Sequence, residues 1–239
     1  MYGIENLYAL IGSAVFLASV PVIIYLLGRS EKGFGDFSAG ITYMDFYSAI
    51  MLLVPMMAGS AYLFMAFGFG YVKNAGEIVY WIRYYEWAVI TPLIILGVLV
   101  LTQDSKLMLK GMFANFLMIM VGFLGEIAPT PELRALGFGA STFLFIYLFY
   151  LVVVKASRLM EDSVESLQSL FHRLKLITVV VWIVYPLVWA LGPDLANVLQ
   201  GRNLSITFMA LDLVSKIGYV SLILLGVSDV DSGSTGKWS

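Results

Sequence analysis

The sequence predicts an all-α fold: a bundle of seven transmembrane helices, with the N-terminus outside the cell and the C-terminus in the cytoplasm. Three observations predict it. The 239 residues are 60% hydrophobic and only 13% charged, where a soluble domain carries roughly 25% charge. Apolar runs of membrane-crossing length recur about seven times, each near the ~20 residues that a bilayer core requires. Lysine and arginine fall mainly on one side of the resulting topology.

The runs cover roughly 5–27, 42–69, 79–101, 107–127, 132–156, 172–191 and 203–226. The first lacks a basic leader before it and is long enough to span, so it reads as a helix rather than a cleaved signal. The break at 28–40 (GRSEKGFGDFSAG) is charged and glycine-rich. Pro129-Thr130-Pro131 makes a short, stiff turn, because neither proline can continue a helix. Residues 158–175 form the longest charged stretch, and 192–203 a polar loop around Pro193. Residues 1–227 therefore make one membrane domain and 228–239 a short polar tail. Arg29, Lys32, Lys106, Lys110, Lys155, Arg158, Arg173, Lys175 and Lys237 share one side. The opposite loops hold Lys73, Arg134 and Arg202. The first side is cytoplasmic by the positive-inside rule.

Composition narrows the function. A formal net charge of −2 argues against a nucleic-acid binder. There is no cysteine, so disulfides, thiolate chemistry and cysteine-bound metal are excluded. His172 is the single histidine, reads as a solvated loop residue, and cannot form a histidine metal cluster within one chain. No nucleophile–base pair is visible, so an enzyme is not expected.

The chemistry lies in four charges. Asp212 and Lys216 sit inside the last run, one helical turn apart on one face. Each costs about 2.5–3.5 kcal/mol at a membrane-helix centre on insertion scales. A structural ion pair is the plain reading. The third run adds Arg83 and Glu86, again on one face. Two carboxylates and two cations then balance within one bundle, which a bare ion pair does not require. A buried lysine amine sheds its proton readily and can attack an aldehyde. The resulting imine, once protonated, is a buried cation that needs carboxylate counterions.

Three motifs carry a resemblance. They are Arg83-Tyr-Tyr-Glu-Trp-Ala-Val-Ile-Thr-Pro92, Trp182-Ile-Val-Tyr-Pro-Leu-Val-Trp189 and Leu211-Asp-Leu-Val-Ser-Lys-Ile-Gly218. Together they resemble the microbial rhodopsins, of the haloarchaeal bacteriorhodopsin and sensory-rhodopsin type, over nearly the whole chain. The resemblance implies all-trans retinal bound covalently as a Schiff base on Lys216, with Glu86 and Asp212 as counterions and Glu86 as proton acceptor. It implies an outer polar network of Arg83, Tyr62 and Asp194. It implies a pocket of Trp87, Thr91, Trp182, Tyr185, Pro186 and Trp189, joined by Met118, Gly122, Phe138, Ser141 and Thr142. Helix packing or an interfacial belt would also explain the aromatics. The implied setting is a lipid bilayer, as a multi-pass protein of the plasma membrane. A homodimer or homotrimer and a transducer protein are the candidate partners.

The sequence departs from the family's outward proton pumps. Ile90 stands where a threonine orients the acceptor. Gly97 stands where an aspartate returns a proton, and Leu204 where one of two outer acids would be. Asn115 stands where pumps often carry aspartate. Without an internal donor, proton return depends on water and the cycle is slow. A half-channel lined by residues such as Met51 and Leu101 is expected, and an aspartate introduced at Gly97 is expected to restore a donor. A slow light sensor is the leading expectation, although Ala210 replaces a transducer-contacting tyrosine. A weak outward pump comes second and a passive channel third. A halide pump is disfavoured because Glu86 puts negative charge where the anion would sit.

Overall fold

The computed structural model describes residues 6–29, 43–74, 77–193 and 195–233. Among them are seven helices long and apolar enough to cross a membrane. They are α1 (Leu7–Arg29), α2 (Tyr43–Ala66), α3 (Trp81–Leu99), α4 (Ser105–Glu126), α5 (Pro131–Leu159), α6 (Glu165–Ala190) and α7 (Gly201–Gly233). Successive membrane-crossing helices run antiparallel, so α1, α3, α5 and α7 all start at one end of the bundle, the leading end. Helix α1 packs on α2 and α7, α2 on α3 and α7, α3 on α4, α4 on α5, and α6 on α7. Helix α3 is central: 67% of its span is buried, against 17% for α5. The outward faces stay apolar, with Leu109, Phe113, Phe143, Ile146 and Leu225 exposed. In water such a surface would be costly; against lipid tails it is matched.

Local chemistry sets the helix ends and breaks. Asp104 caps α4, its Oδ1 accepting the Leu107 N–H at 3.0 Å. Thr130 caps α5 and Pro131 fills the first position, where no N–H is needed. Pro186 cannot donate to the carbonyl one turn earlier, and α6 is interrupted at Ile183, between Glu165–Trp182 and Val184–Ala190. Gly125 of α4 meets Gly137 of α5 backbone to backbone. A Cβ on Gly137 would overlap the Gly125 Cα, so this close approach requires glycine.

Four expectations change. Most of the charged stretch 158–175 is helical, because α5 runs to Leu159 and α6 already begins at Glu165. Its early turns are amphipathic: Leu167, Leu170, Phe171 and Leu174 are buried while polar side chains project outward. His172 is accordingly an exposed helix residue, not a loop residue, with Nδ1 2.8 Å from the Gln168 carbonyl. Helix α7 continues to Gly233, through residues 228–233 of the expected tail. Between α2 and α3 lies a hairpin that was not anticipated, β1 (Val72–Asn74) and β2 (Glu77–Val79), antiparallel with Lys73 opposite Ile78. Asn74 Nδ2 ties it to the end of α4, donating to the Glu126 carbonyl at 2.9 Å.

Candidate functional site: a buried lysine at the end of an aromatic cavity

The buried charged residues among those described are Arg83, Glu86, Asp212 and Lys216. Helices α3 and α7 bring them together at mid-bundle. Lys216 Nζ donates to Glu86 Oε2 at 2.7 Å and lies 3.2 Å from Asp212 Oδ1. The two acids are held very differently. Asp212 is anchored by donors on α2, α6 and α3: Tyr62 Oη donates to Oδ2 at 2.8 Å, and Tyr185 Oη to Oδ1 at 2.7 Å. Trp87 Nε1 donates to Oδ1 at 3.1 Å. Glu86 has the lysine on one oxygen, while its buried Oε1 has no hydrogen-bond partner among the described residues. An unmatched buried carboxylate oxygen is costly and points to a missing guest. Arg83 sits one turn nearer the leading end, 8% exposed, its guanidinium 5.1 Å from the Phe208 ring centroid.

From Lys216 an apolar cavity opens between α3, α4, α5, α6 and α7. At one wall Trp87 meets Tyr185 and Phe208 edge to face, and Tyr185 stacks on Phe208. Trp189 stacks on Phe138 with centroids 4.5 Å apart. Trp182 is fixed by its Nε1–H donating to Ser215 Oγ at 3.1 Å. Ser141 Oγ donates to the Met118 carbonyl at 2.9 Å, pinning α5 to α4 beside Gly122. The Thr91 hydroxyl lies 2.6 Å from Asn115 Oδ1 and 2.7 Å from the Trp87 carbonyl. One proton cannot serve both. The Asn115 amide turned end for end would donate Nδ2–H to Thr91 and leave the hydroxyl for Trp87, satisfying the chain.

All eleven residues expected to line a pocket do line this one: Trp87, Thr91, Met118, Gly122, Phe138, Ser141, Thr142, Trp182, Tyr185, Pro186 and Trp189. Of the residues expected in an outer polar network, Tyr62 donates to Asp212 and Arg83 lies one turn along α3 from Glu86. Asp194 lies outside the described residues. Tyr84, Ile94, Ile119, Phe145, Phe208 and Ser215 also line the cavity and were not anticipated. Trp182 with Ser215 was the one pairing with a signal, since Ser215 adjoins Lys216 in sequence.

Gly97 is not an empty position. A Cβ there would overlap the Tyr219 hydroxyl, which donates to the Ile94 carbonyl at 2.9 Å. Tyr47 Oη donates to the Gly97 carbonyl itself. Ile50, Met51, Val98 and Leu101 close around both rings, all at most 2% exposed. Met51 and Leu101 are therefore in a packed apolar plug, not along an open half-channel.

A seven-helix membrane bundle with an ion-paired lysine at the end of an aromatic slot defines a narrow class of proteins. The family model described as bacteriorhodopsin-like protein matches residues 4–230, and the chain belongs to that family. It is 33% identical to sensory rhodopsin-2 of Haloarcula vallismortis over 192 residues, 79% of each chain. It is 34% identical to bacteriorhodopsin of Halobacterium salinarum over 219 residues, 86% of this chain and 83% of that one. Among solved structures, thermophilic rhodopsin from Rubrobacter xylanophilus is similar, with a TM-score of 0.84 and 27% identity over 96% of this chain and all of that one.

Proposed function

We propose that the protein is a light-responsive membrane protein carrying all-trans retinal covalently on Lys216, and that it works as a slow-cycling photoreceptor. The observation that carries the retinal reading is the lysine amine itself, the one amine lining an aromatic slot and backed by two carboxylates. The residues fit the group: the slot is lined mainly by apolar and aromatic side chains, its charges are confined to the lysine end, and Glu86 Oε1 has no hydrogen-bond partner among the described residues. When bound as an imine at Nζ, retinal would supply the visible absorption and the light-driven change of shape.

The chain's own residues account for the rest. Trp87, Trp182, Tyr185 and Trp189 exclude water and confine the guest. Asp212, already engaged by three donors, is held in place and orients the Nζ–H. Glu86, with a free oxygen and a 2.7 Å contact to Nζ, takes the proton on illumination. Relatives named as sensory rhodopsins and as bacteriorhodopsins match about equally, so identity does not separate sensor from pump. The photoreceptor reading rests on the Gly97 site, where a tyrosine hydroxyl and apolar packing stand in place of an acid. With the N-terminus outside and the plasma membrane as its location, the outward faces of α4 to α7 would meet lipid, a second copy or a transducer. Outward proton pumping is the second reading, favoured by Glu86 lying on the leading-end side, next to a polar cavity at Arg83.

Light-induced pH change in vesicles, with and without a protonophore, tests these readings. A photoreceptor gives a small transient signal; sustained acidification or alkalinisation that the protonophore collapses would establish pumping instead. The acceptor role has its own test. Glu86→Gln removes the negative charge beside the imine cation, so the visible band should shift to the red and light-driven deprotonation at Nζ should be lost. An unchanged band with deprotonation intact would transfer the role to Asp212.

A further inference from the structure

The charge on Lys216 has a neighbour that is neither an acid nor part of the slot. Its Nζ lies over the ring of Phe16, 5.9 Å from the centroid. Phe16 belongs to α1, which gives no residue to the slot among those described. It is fully buried, and its ring stacks on Tyr62, with centroids 5.9 Å apart and planes 20° from parallel. Two glycines let α1 come this close. A Cβ on Gly59 of α2 would meet Leu17 Cγ at 2.8 Å and Phe16 Cβ at 3.1 Å. A Cβ on Gly12 of α1 would press on Met209 of α7 at 3.0 Å and on the Tyr62 ring at 3.4 Å. Helices α2 and α7 together fix α1, and with it the ring. In sequence Phe16 is one apolar residue within an apolar run, and nothing marks it.

We propose that Phe16 is a positioning residue for the charge at Nζ, the π face of its ring holding the cation in place and tuning the colour of the protein. This rests on the retinal-bearing reading above. The face of an aromatic ring is negative relative to its edge and attracts a cation within about 6 Å, most strongly where water is excluded. Water is excluded here, since Lys216 and Phe16 are 1% and 0% exposed. The carboxylates hold Nζ from α3 and α7, and the ring adds a third hold from α1. A ring differs from a carboxylate in one respect that matters: it attracts the charge but cannot take the proton. Phe16 therefore steadies the cation and opposes transfer of its proton to Glu86, without offering a rival acceptor. The other charged or titratable groups around Nζ are Arg83 and Glu86 of α3, Tyr62 of α2, Tyr185 of α6 and Asp212 of α7. On α1, Tyr8 lies about two turns from Phe16, toward the leading end.

Two measurements on the full chain test this, one of them without retinal. In the retinal-free protein, a double-mutant cycle joins Phe16→Leu and Lys216→Met, read as the unfolding equilibrium in mixed micelles. Attraction between ring and cation makes the two losses non-additive, by about fivefold or more in the equilibrium constant. Additive losses, which packing alone predicts, overturn the proposal. In the retinal-loaded protein, Phe16→Leu keeps an apolar side chain and removes the π face. The visible band should shift to the red, because the ground-state cation loses stabilisation. The alkaline pH at which that band is lost should fall by about one unit. Phe16→Tyr keeps the ring and should stay near wild type in both. Phe16→pentafluoro-Phe has nearly the same shape with the polarity of its face reversed. It should shift both readouts at least as far as Phe16→Leu, and it replaces the leucine variant if that one does not fold. Band and midpoint unmoved when the face is removed or reversed, or moved equally in Phe16→Tyr, overturn the proposal. A wild type with no visible band after retinal is added overturns the retinal reading alone, because the retinal-free cycle still decides whether Phe16 holds the Lys216 cation.

Discussion

Lys216→Ala is expected to abolish the visible absorption band completely, because no other amine among the described residues lines the cavity. Added retinal should bind, if at all, as the free aldehyde, with no hydroxylamine-sensitive visible band. The variant also removes the cation that Glu86 and Asp212 share at 2.7 and 3.2 Å. Breaking a buried ion pair costs about 3–5 kcal/mol, so a colourless preparation could reflect misfolding. The double variant Lys216→Ala/Glu86→Gln separates the two effects. It takes away one negative charge along with the positive one, and should recover much of the thermal stability while staying colourless. Colour in either variant would mean that retinal is attached elsewhere, and the assignment of Lys216 would fall.

That lysine was legible in the sequence for a simple energetic reason. Charges inside apolar spans are expensive, so Arg83, Glu86, Asp212 and Lys216 stand out against their neighbours without any knowledge of the fold. The seven spans were legible for the same reason in reverse. What the sequence concealed was direction. A helix apolar on all sides carries no stripe to mark its inner face, so Phe208, Ile119 and Phe145 looked no different from the lipid-facing Phe113 and Phe143. The start of α6 was hidden by its charges: His172, Arg173 and Lys175 read as loop, although Leu167, Leu170, Phe171 and Leu174 at helical spacing bury a face there. The hairpin 72–79 has strands of only three residues and no strong alternation.

Gly97 shows the same limit most sharply, and it changes the experiment that the sequence recommended. Read alone, Gly97 is a missing proton donor, and Gly97→Asp should supply one. In the structure its space belongs to the Tyr219 hydroxyl, so the glycine and the tyrosine form one packing unit across α3 and α7. Gly97→Asp by itself should overpack the plug, at about 1–3 kcal/mol, and place a carboxyl where no polar space is left. It should lower the melting temperature and leave proton return slow. Tyr219→Phe gives up the bond to the Ile94 carbonyl, worth about 1 kcal/mol, and clears the overlap, since the ring carbon Cζ is 3.5 Å from the added Cβ, an ordinary contact. The combined variant Gly97→Asp/Tyr219→Phe is therefore the one expected to carry a working donor. Flash photolysis between acid and alkaline buffer should show wild-type recovery slowing about tenfold per pH unit once proton uptake limits it, with azide accelerating it. The double variant should recover quickly and nearly independently of pH. If Gly97→Asp alone already flattens the profile, Tyr219 does not block the site. Fast, flat recovery in the wild type would mean another group returns the proton, and the slow-photoreceptor reading would lose its footing.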